Sequence, residues 1–302
     1  MLGKTQFTNQ QMLDWMGYVA DLQNVTPEKI KIANLCGKKR NLLALIATHK
    51  RLLVFVDETQ PNMLYKCWEA GYGDYEMYYG TGYEPSEMKH CKISDMMDDP
   101  ISGPTVIFIV NENTRESMIF GMKNDNFFHG TVKYVGHEIR SVIMNKLELD
   151  IRDVALMVDA ESVVIEASMI AYEGTIIAGE RDEGSKRTME ENIDKFGVHN
   201  VEVVTDLSAD TLSKFPTPRL AFIVAKKGEI KKDIESVLKI NPKAKFIFWT
   251  LELDLLLEIK NTLKEYGIDV TEVMQITVSK TDQNSVFVAQ PSPWIITGEV
   301  SE

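Results

Sequence analysis

From about residue 130 the chain alternates short apolar runs with longer stretches whose apolar residues recur every three or four positions. The short runs are DVALMV (153–158), TIIAGE (175–180), VEVVTD (201–206), RLAFIVA (219–225) and KFIFWT (245–250). Their length and apolar content predict strands, most of them buried on both faces. Between them, SVVIEASMIA, SKRTMEENIDKFG, SADTLSKF, IKKDIESVLKI and ELDLLLEIKNTLKEYG predict helices. A further helix precedes the first strand, because GHEIRSVIMNKLEL places Ile139, Val142, Ile143 and Leu147 at helical spacing. Five strands each followed by a helix predict an α/β fold: a parallel sheet with helices on both faces. The last two apolar runs, VTEVMQITVS and SVFVAQ, are expected to form an antiparallel hairpin at one edge.

The first half has a different texture. Strand-like runs LLVFV (52–56) and TVIFIV (105–110) are separated by helical and loop stretches, and a weak alternation over 75–79 predicts a strand leading into an exposed loop. Two domains are therefore expected, a smaller α/β domain over 1–128 and a doubly wound domain over 129–302, and a chain of 302 residues is long enough for both.

Charge and cysteine usage narrow the function classes. A net charge of -12 argues against a nucleic-acid or anionic-membrane surface as the main partner. The start MLGKTQFTNQ has no signal-peptide core, and no stretch approaches the roughly 20 apolar residues of a membrane span, so a cytoplasmic location is expected. Cys36, Cys67 and Cys91 are odd in number and outside any C-x-x-C spacing, which indicates neither a disulfide framework nor a zinc site. His90 beside Cys91 has no further ligand at a useful spacing, so no metal is expected.

In a doubly wound fold the ligand sits beyond the carboxyl ends of the strands, against the loop after the first of them. The stretch DVALMVDAESVVIEAS occupies that loop. Its flanks, with GHEIRSVIMNKLEL, VIEASMIAYEGTIIAGERDE, ENIDKFGVHNVEVV, MQITVSKT and PWIITGE, resemble the decarboxylating methyltransferase module of the precorrin-6Y C5,15-methyltransferase family over 130–298. The runs NLCGKKRNLLALIATHKRLLVFVDE, EAGYGDYEMYYGTGYEPSE and FGMKNDNFFHG look like the second subdomain and linker of the tetrapyrrole methylase module that precedes it in bifunctional members. The resemblance implies a class I, Rossmann-like fold with a seven-stranded, mostly parallel sheet. It also implies S-adenosylmethionine as methyl donor, a corrin-ring substrate of cobalamin biosynthesis, and a homo-oligomer.

Departures from the family pattern define the candidate site. The sequence begins too close to the methylase-like stretch to build that module's first subdomain, so the first methylase site is expected to be missing, unless a companion methyltransferase subunit supplies it. In the second module the family's donor loop is rich in glycine, which lets backbone pass close to the ligand. Here it reads Asp159, Ala160, Glu161, Ser162, without glycine and two residues short. Two carboxylates so placed would repel the donor's own carboxylate. Glu180 holds the position of the acid that binds ribose hydroxyls, with a solvated strand-end acid as the competing reading. Asp206 lies one residue from the position of the acid near adenine, where Leu207 now stands. Lys226 and Lys227, after the fourth strand, are placed either to meet carboxylates of an acidic tetrapyrrole or to form a solvated turn. His137, at a helix start, corresponds to a basic substrate-entrance position, or is an exposed helix histidine.

Three readings stay open: an active methyltransferase, a non-catalytic binding or scaffolding subunit derived from one, and a crevice repurposed for another small ligand. The lost glycines, the shortened loop and the added carboxylates favour weakened or lost S-adenosylmethionine binding.

Overall fold

Strands that read as unbroken apolar runs must be covered on both faces, and the chain does this in the second of two compact units. The computed structural model describes residues 7–37, 42–114, 121–130, 135–281 and 284–300; residues 1–6, on which the leader expectation falls, lie outside them. One unit comprises Met1–Met118 with Lys195–His199, the other Ile119–Asp194 with Asn200–Glu302.

The first unit contains α1 (Asn9–Gln23), β1 (Lys31–Asn34), α2 (Leu42–Thr48), β2 (Arg51–Val56), α3 (Met63–Cys67), β3 (Glu76–Thr81), β4 (Lys89–Lys92) and β5 (Thr105–Val110). Its sheet has the order β1-β2-β5-β3-β4, with β1 and β2 parallel and the other pairs antiparallel. Helix α1 starts at a capping box: the Thr8 hydroxyl accepts from the Gln11 amide at 3.2 Å, and the Gln11 side chain accepts from the Thr8 amide at 2.9 Å. Trp15 and Val19 on its buried face pack against Leu53, Phe55, Val106 and Phe108 of the sheet. The indole of Trp15 donates to the Tyr83 carbonyl at 3.0 Å, so its one polar atom is satisfied. His90 stacks on Tyr78, with ring centroids 4.4 Å apart, and lies 2.8 Å from the Glu76 carboxylate. Among the described residues, no group of three or more His, Cys, Asp or Glu side chains could hold a metal ion.

The second unit contains α4 (His137–Leu147), β6 (Val154–Val158), α5 (Ser162–Ile170), β7 (Thr175–Gly179), α6 (Glu183–Phe196), β8 (Val201–Val204), α7 (Ala209–Leu212), β9 (Leu220–Val224), α8 (Ile230–Ile240), β10 (Lys245–Thr250), α9 (Leu253–Glu265), β11 (Ile268–Gln275), β12 (Ser279–Thr281), β13 (Phe287–Ala289) and β14 (Trp294–Val300). Its seven-stranded sheet has the order β11-β14-β10-β9-β6-β7-β8, and the five strands from β10 to the β8 edge are parallel. Ile230, Ile234 and Val237 of α8, and Leu255, Ile259 and Leu263 of α9, form the apolar stripes that cover Leu156, Ala221, Ile223, Phe246 and Phe248. Among the described residues, no helix is long and apolar enough to cross a membrane.

The end of the chain departs from the sequence expectation. The two last apolar runs pair antiparallel only where they adjoin, Ser279 opposite Ala289 with the Gln290 amide donating to the Val278 carbonyl at 2.9 Å, and this hairpin is not on the edge of the main sheet. Strand β11 pairs antiparallel with β14, which inserts between it and β10. The run SVFVAQ supplies β13, which pairs with β12 in a separate two-stranded sheet. The reason lies in WIITGEV: Ile295 and Ile296 are buried, and seating β14 beside β10 covers them while satisfying the backbone of both neighbours.

Candidate functional site

Strand β6 lies mid-sheet, and the chain proceeds from it to β7 and β8 on one side and to β9 and β10 on the other. That reversal opens a crevice at the carboxyl ends of β6 and β9. A cavity of about 360 Å³ lies there, walled by Asp159, Arg181, Val224, Lys226, Trp249 and Thr250. A second, of about 590 Å³, lies towards α8 and is walled in part by Arg181, Asp206, Leu207, Lys226 and Asp233. A third, of about 490 Å³, includes Gly136, Glu138, Trp249, Lys280 and Gln290 in its wall. Each is within the size range of small-molecule sites.

The loop after β6 keeps a backbone suited to glycine without having any. Asp159 has φ 51° and Glu161 φ 40°, both left-handed, and Glu161 combines this with ψ -114°. A Cβ is disfavoured in that region, although Asp tolerates it better than Glu. The loop is held by the Asp159 amide donating to the Gly179 carbonyl at 2.9 Å, and by the Val163 amide donating to the Ala160 carbonyl at 3.0 Å. Ala160 and Ser162 are buried. The Ser162 hydroxyl accepts from Arg140 at 2.7 Å and so belongs to an internal network. In that network the fully buried Arg140 also binds Glu166 at 2.6 Å and the Met122 carbonyl, and it stacks on Phe127.

Arg181, next to Glu180, carries the crevice's main ion pairs. Its guanidinium binds the carboxylates of both Asp159 and Asp233. Its amide approaches Asp159 Oδ1 at 3.3 Å. Burial nevertheless pushes the Asp233 carboxyl up to about 6, with Arg181 acting in the opposite direction. Arg181 and Lys226 line both the 360 Å³ and the 590 Å³ cavities.

Glu180 extends strand β7, its amide donating to the Val204 carbonyl at 2.8 Å. Its side chain is fully buried, and neither carboxyl oxygen has a hydrogen-bond partner. Burial, reinforced by the charges of Asp159, Glu161 and Asp182, raises it to about 8. Glu161 is also buried; its Oε1 accepts from the Gly130 amide at 3.3 Å while Oε2 has no partner. Burial raises it to about 7 against the opposing effect of the Gly130 bond. Two carboxyl groups that hold protons near neutrality thus lie close enough to Asp159 to feel its charge.

The remaining sequence candidates are placed as follows. Asp206 is exposed on the wall of the 590 Å³ cavity and caps the next turn. It accepts from the Ser208 hydroxyl at 2.7 Å and from Thr211, bonds that hold it down to about 2. Leu207 covers Gly179 so closely that a Cβ there would lie 2.5 Å from Leu207 Cδ2. Lys226 and Lys227 are exposed in the turn after β9, and Lys226 alone of the two is among the cavity-wall residues. His137 begins α4, with its Nε2 2.9 Å from Glu138, which lines the 490 Å³ cavity and pairs with Lys280. The structure therefore brings Asp159, Glu161 and Glu180 together, with Lys226 across the crevice; Ser162, Asp206, Lys227 and His137 take up other contacts or stand apart. Sequence reasoning missed Arg181 and Trp249. The sole signal for Arg181 was its place after the strand-end acid in AGERDE. Trp249, buried at the wall of two cavities with no partner for its indole nitrogen, read as an ordinary strand residue in KFIFWT.

Tested against S-adenosylmethionine, the residues divide. The two open acceptor oxygens of Glu180 suit ribose hydroxyls. The loop does not suit a bound amino-acid carboxylate: Asp159 and Glu161 stand where backbone amides would need to be bare, and the nearby guanidinium is already committed to two aspartates. The side chains present do not fit the donor held in the inherited way.

No family model matches the sequence, and no curated relative matches it. Solved structures do. Precorrin-6Y C5,15-methyltransferase from Geobacter metallireducens superposes with a TM-score of 0.56 at 28% identity, covering 60% of this chain and 98% of that one. Precorrin-8w decarboxylase from Methanobacterium thermoautotrophicum gives 0.52 at 20% identity, covering 59% and 100%. The C-terminal domain of precorrin-6Y C5,15-methyltransferase from Rhodobacter capsulatus gives 0.50 at 14%, covering 61% and 99%. The chain's solved neighbours are thus precorrin-6Y C5,15-methyltransferases and a decarboxylating homologue, and its mostly parallel seven-stranded sheet is that of a class I, Rossmann-like methyltransferase.

Proposed function

We propose that this protein derives from the S-adenosylmethionine-dependent methyltransferases of corrin-ring synthesis, and that its donor site holds S-adenosylmethionine weakly or not at all. Methyl transfer is weakened or lost to the same degree. The observation that carries the reading is the ion pair of Arg181 with Asp159, set on a glycine-type backbone at the position of the donor loop. A donor entering in the inherited pose must bring its carboxylate against Asp159 and Glu161, and like charges at close range in a poorly solvated site repel strongly. Calorimetric titration with S-adenosylmethionine and S-adenosylhomocysteine tests it. Heat is expected to be absent or to saturate only at millimolar ligand, and binding in the low micromolar range would overturn the reading.

A second reading, a crevice retained for a different small ligand, is favoured by Glu180. A fully buried carboxyl with two open acceptors is costly unless something uses it. On either reading Lys226 is the side chain best placed to meet an acidic second ligand, because it alone of the candidate cations lines the crevice without a carboxylate already paired to it in the described contacts. Self-association through the β12–β13 sheet, where Phe287 and Val288 are exposed, is the oligomer contact we assign. Light scattering on the Phe287→Glu variant checks it, a fall in mass being the expected result.

A further inference from the structure

Trp249 holds a buried donor that bonds nothing, in the wall of a cavity whose charges are already paired. On β10, Phe246 and Phe248 belong to the face covered by α8 and α9, and successive strand residues point to opposite faces. Trp249 therefore points to the other face, where it walls the 490 Å³ cavity with Gly136 and Ile139 from the start of α4. The residue is 5% exposed, and its indole nitrogen has no acceptor among the described residues. Trp15 shows the ordinary outcome for a buried indole, a bond donated to a carbonyl at 3.0 Å. The indole N–H can only donate, so what it lacks is an acceptor atom.

The charged residues in the wall of this cavity are Glu138 and Lys280, and they form an ion pair with each other. Ile139, Leu251 and Pro291 add apolar surface. An ionic ligand meets charges that are already neutralised, and an acid-rich tetrapyrrole finds no free cation there. The 360 Å³ cavity, which Trp249 also walls, differs in carrying Asp159, Arg181, Asp182, Lys226 and Glu252.

We infer that the 490 Å³ cavity binds a small, uncharged, largely apolar molecule that presents a carbonyl oxygen to the indole N–H of Trp249. Its size is within the range that encloses a small organic ligand. The inference rests on the reading that the crevice serves a different small ligand, and it deepens that reading by naming the ligand class. It does not depend on the state of the donor loop, because none of Asp159, Ala160, Glu161 and Ser162 lines this cavity. Gly136 offers a way to close the cavity. Its φ of -57° suits any residue, and a Cβ there would meet nothing nearer than the Gln290 Oε1 at 3.7 Å.

The test compares 1-indanone with indane, which share a ring skeleton and differ in the carbonyl, on the full chain labelled with ¹⁵N. The chain has four tryptophans, hence four indole N–H signals, and Trp249→Phe assigns one of them by deleting it. 1-Indanone is expected to move that signal downfield as the hydrogen bond forms, and to bind at least about tenfold more tightly than indane. Trp249→Phe should remove this preference. Gly136→Leu should abolish binding of 1-indanone, with an unaltered melting temperature confirming that the variant is folded. Equal affinity for the two probes, or a preference that survives in Trp249→Phe, would overturn the inference. Undiminished binding to Gly136→Leu would place the probe elsewhere and overturn it too. No binding of 1-indanone at millimolar concentration would overturn the inference while leaving the different-ligand reading to the charged 360 Å³ cavity. Low-micromolar S-adenosylmethionine binding alongside a downfield shift of the Trp249 signal by 1-indanone would uphold the inference and overturn the weakened-donor reading.

Discussion

Arg181 holds Asp159 in an ion pair whose two side chains are almost fully buried, and the same guanidinium holds Asp233. Removing one partner of a buried pair leaves an uncompensated charge, whereas removing all of them does not. Arg181→Met is therefore expected to destabilise the second unit by about 3 kcal/mol. Adding Asp159→Asn and Asp233→Asn should restore most of the loss. Chemical denaturation of the single and triple variants measures it.

Glu161 pays for its backbone conformation with strain, and glycine would remove it. At φ 40° and ψ -114° a Cβ is disfavoured, and the buried Oε2 has no partner. Glu161→Gly is expected to stabilise the protein by about 1 kcal/mol, since the freed strain and the removed burial cost outweigh the added unfolded-chain entropy. A rise in melting temperature of about 2–4 °C is the corresponding readout. An unchanged or lower melting temperature would show that the loop relaxes around the glutamate.

Stability should fall as pH rises from about 4.5 to above 8. Burial holds the carboxyls of Glu161 and Glu180 up at about 7 and about 8, above the ordinary glutamate range. Through this interval the native state retains protons that the unfolded state has already lost, so each pH step favours unfolding, and the loss levels off above the folded-state values. Below about pH 6.5 the half-buried His199, lowered to about 4 by desolvation, acts in the opposite direction. Glu180→Gln should flatten most of the slope between pH 6.5 and 8.5, measured from melting temperatures at fixed ionic strength.

Arg140 and Glu166 form a second buried pair, 2.6 Å apart, that ties α4 to α5. The carboxylate also accepts from the Gly121 and Met122 amides, each at 2.9 Å. Arg140→Met is expected to cost about 3–5 kcal/mol because it strands Glu166. The double variant Arg140→Met with Glu166→Gln should cost less than the sum of the single changes, which a double-mutant cycle in urea would establish.

Rebuilding the donor loop tests how far the site has changed. Asp159→Gly with Glu161→Gly removes both carboxylates while keeping the backbone that the loop already adopts. The double variant is expected to bind S-adenosylmethionine measurably more tightly than the parent protein by calorimetry. If it does not, the proposal that the Asp159 and Glu161 carboxylates exclude the donor is overturned.

Much of the fold was determined by the sequence alone. Strands β6, β9 and β10 are read directly from apolar runs because parallel strands covered on both faces need no polar alternation. Helix α8 is read from Ile230, Ile234 and Val237 because only a helix brings that spacing onto one face. The place of the site followed from the order of strands and helices, since the crevice lies where the chain reverses direction across the sheet. The tertiary structure decided what local pattern cannot carry. WIITGEV entered the sheet between β10 and β11 because pairing across the whole unit, not local periodicity, selects a strand's neighbours. The left-handed backbone of Asp159 and Glu161 is imposed by the strand and helix that the loop must join, against the preference of their side chains. Above all, Arg181 is bound by carboxylates 22 residues before it and 52 residues after it, while its neighbour Glu180 is left with none. Charge pairing at such separations is a property of three-dimensional packing, which local pattern in the sequence does not carry.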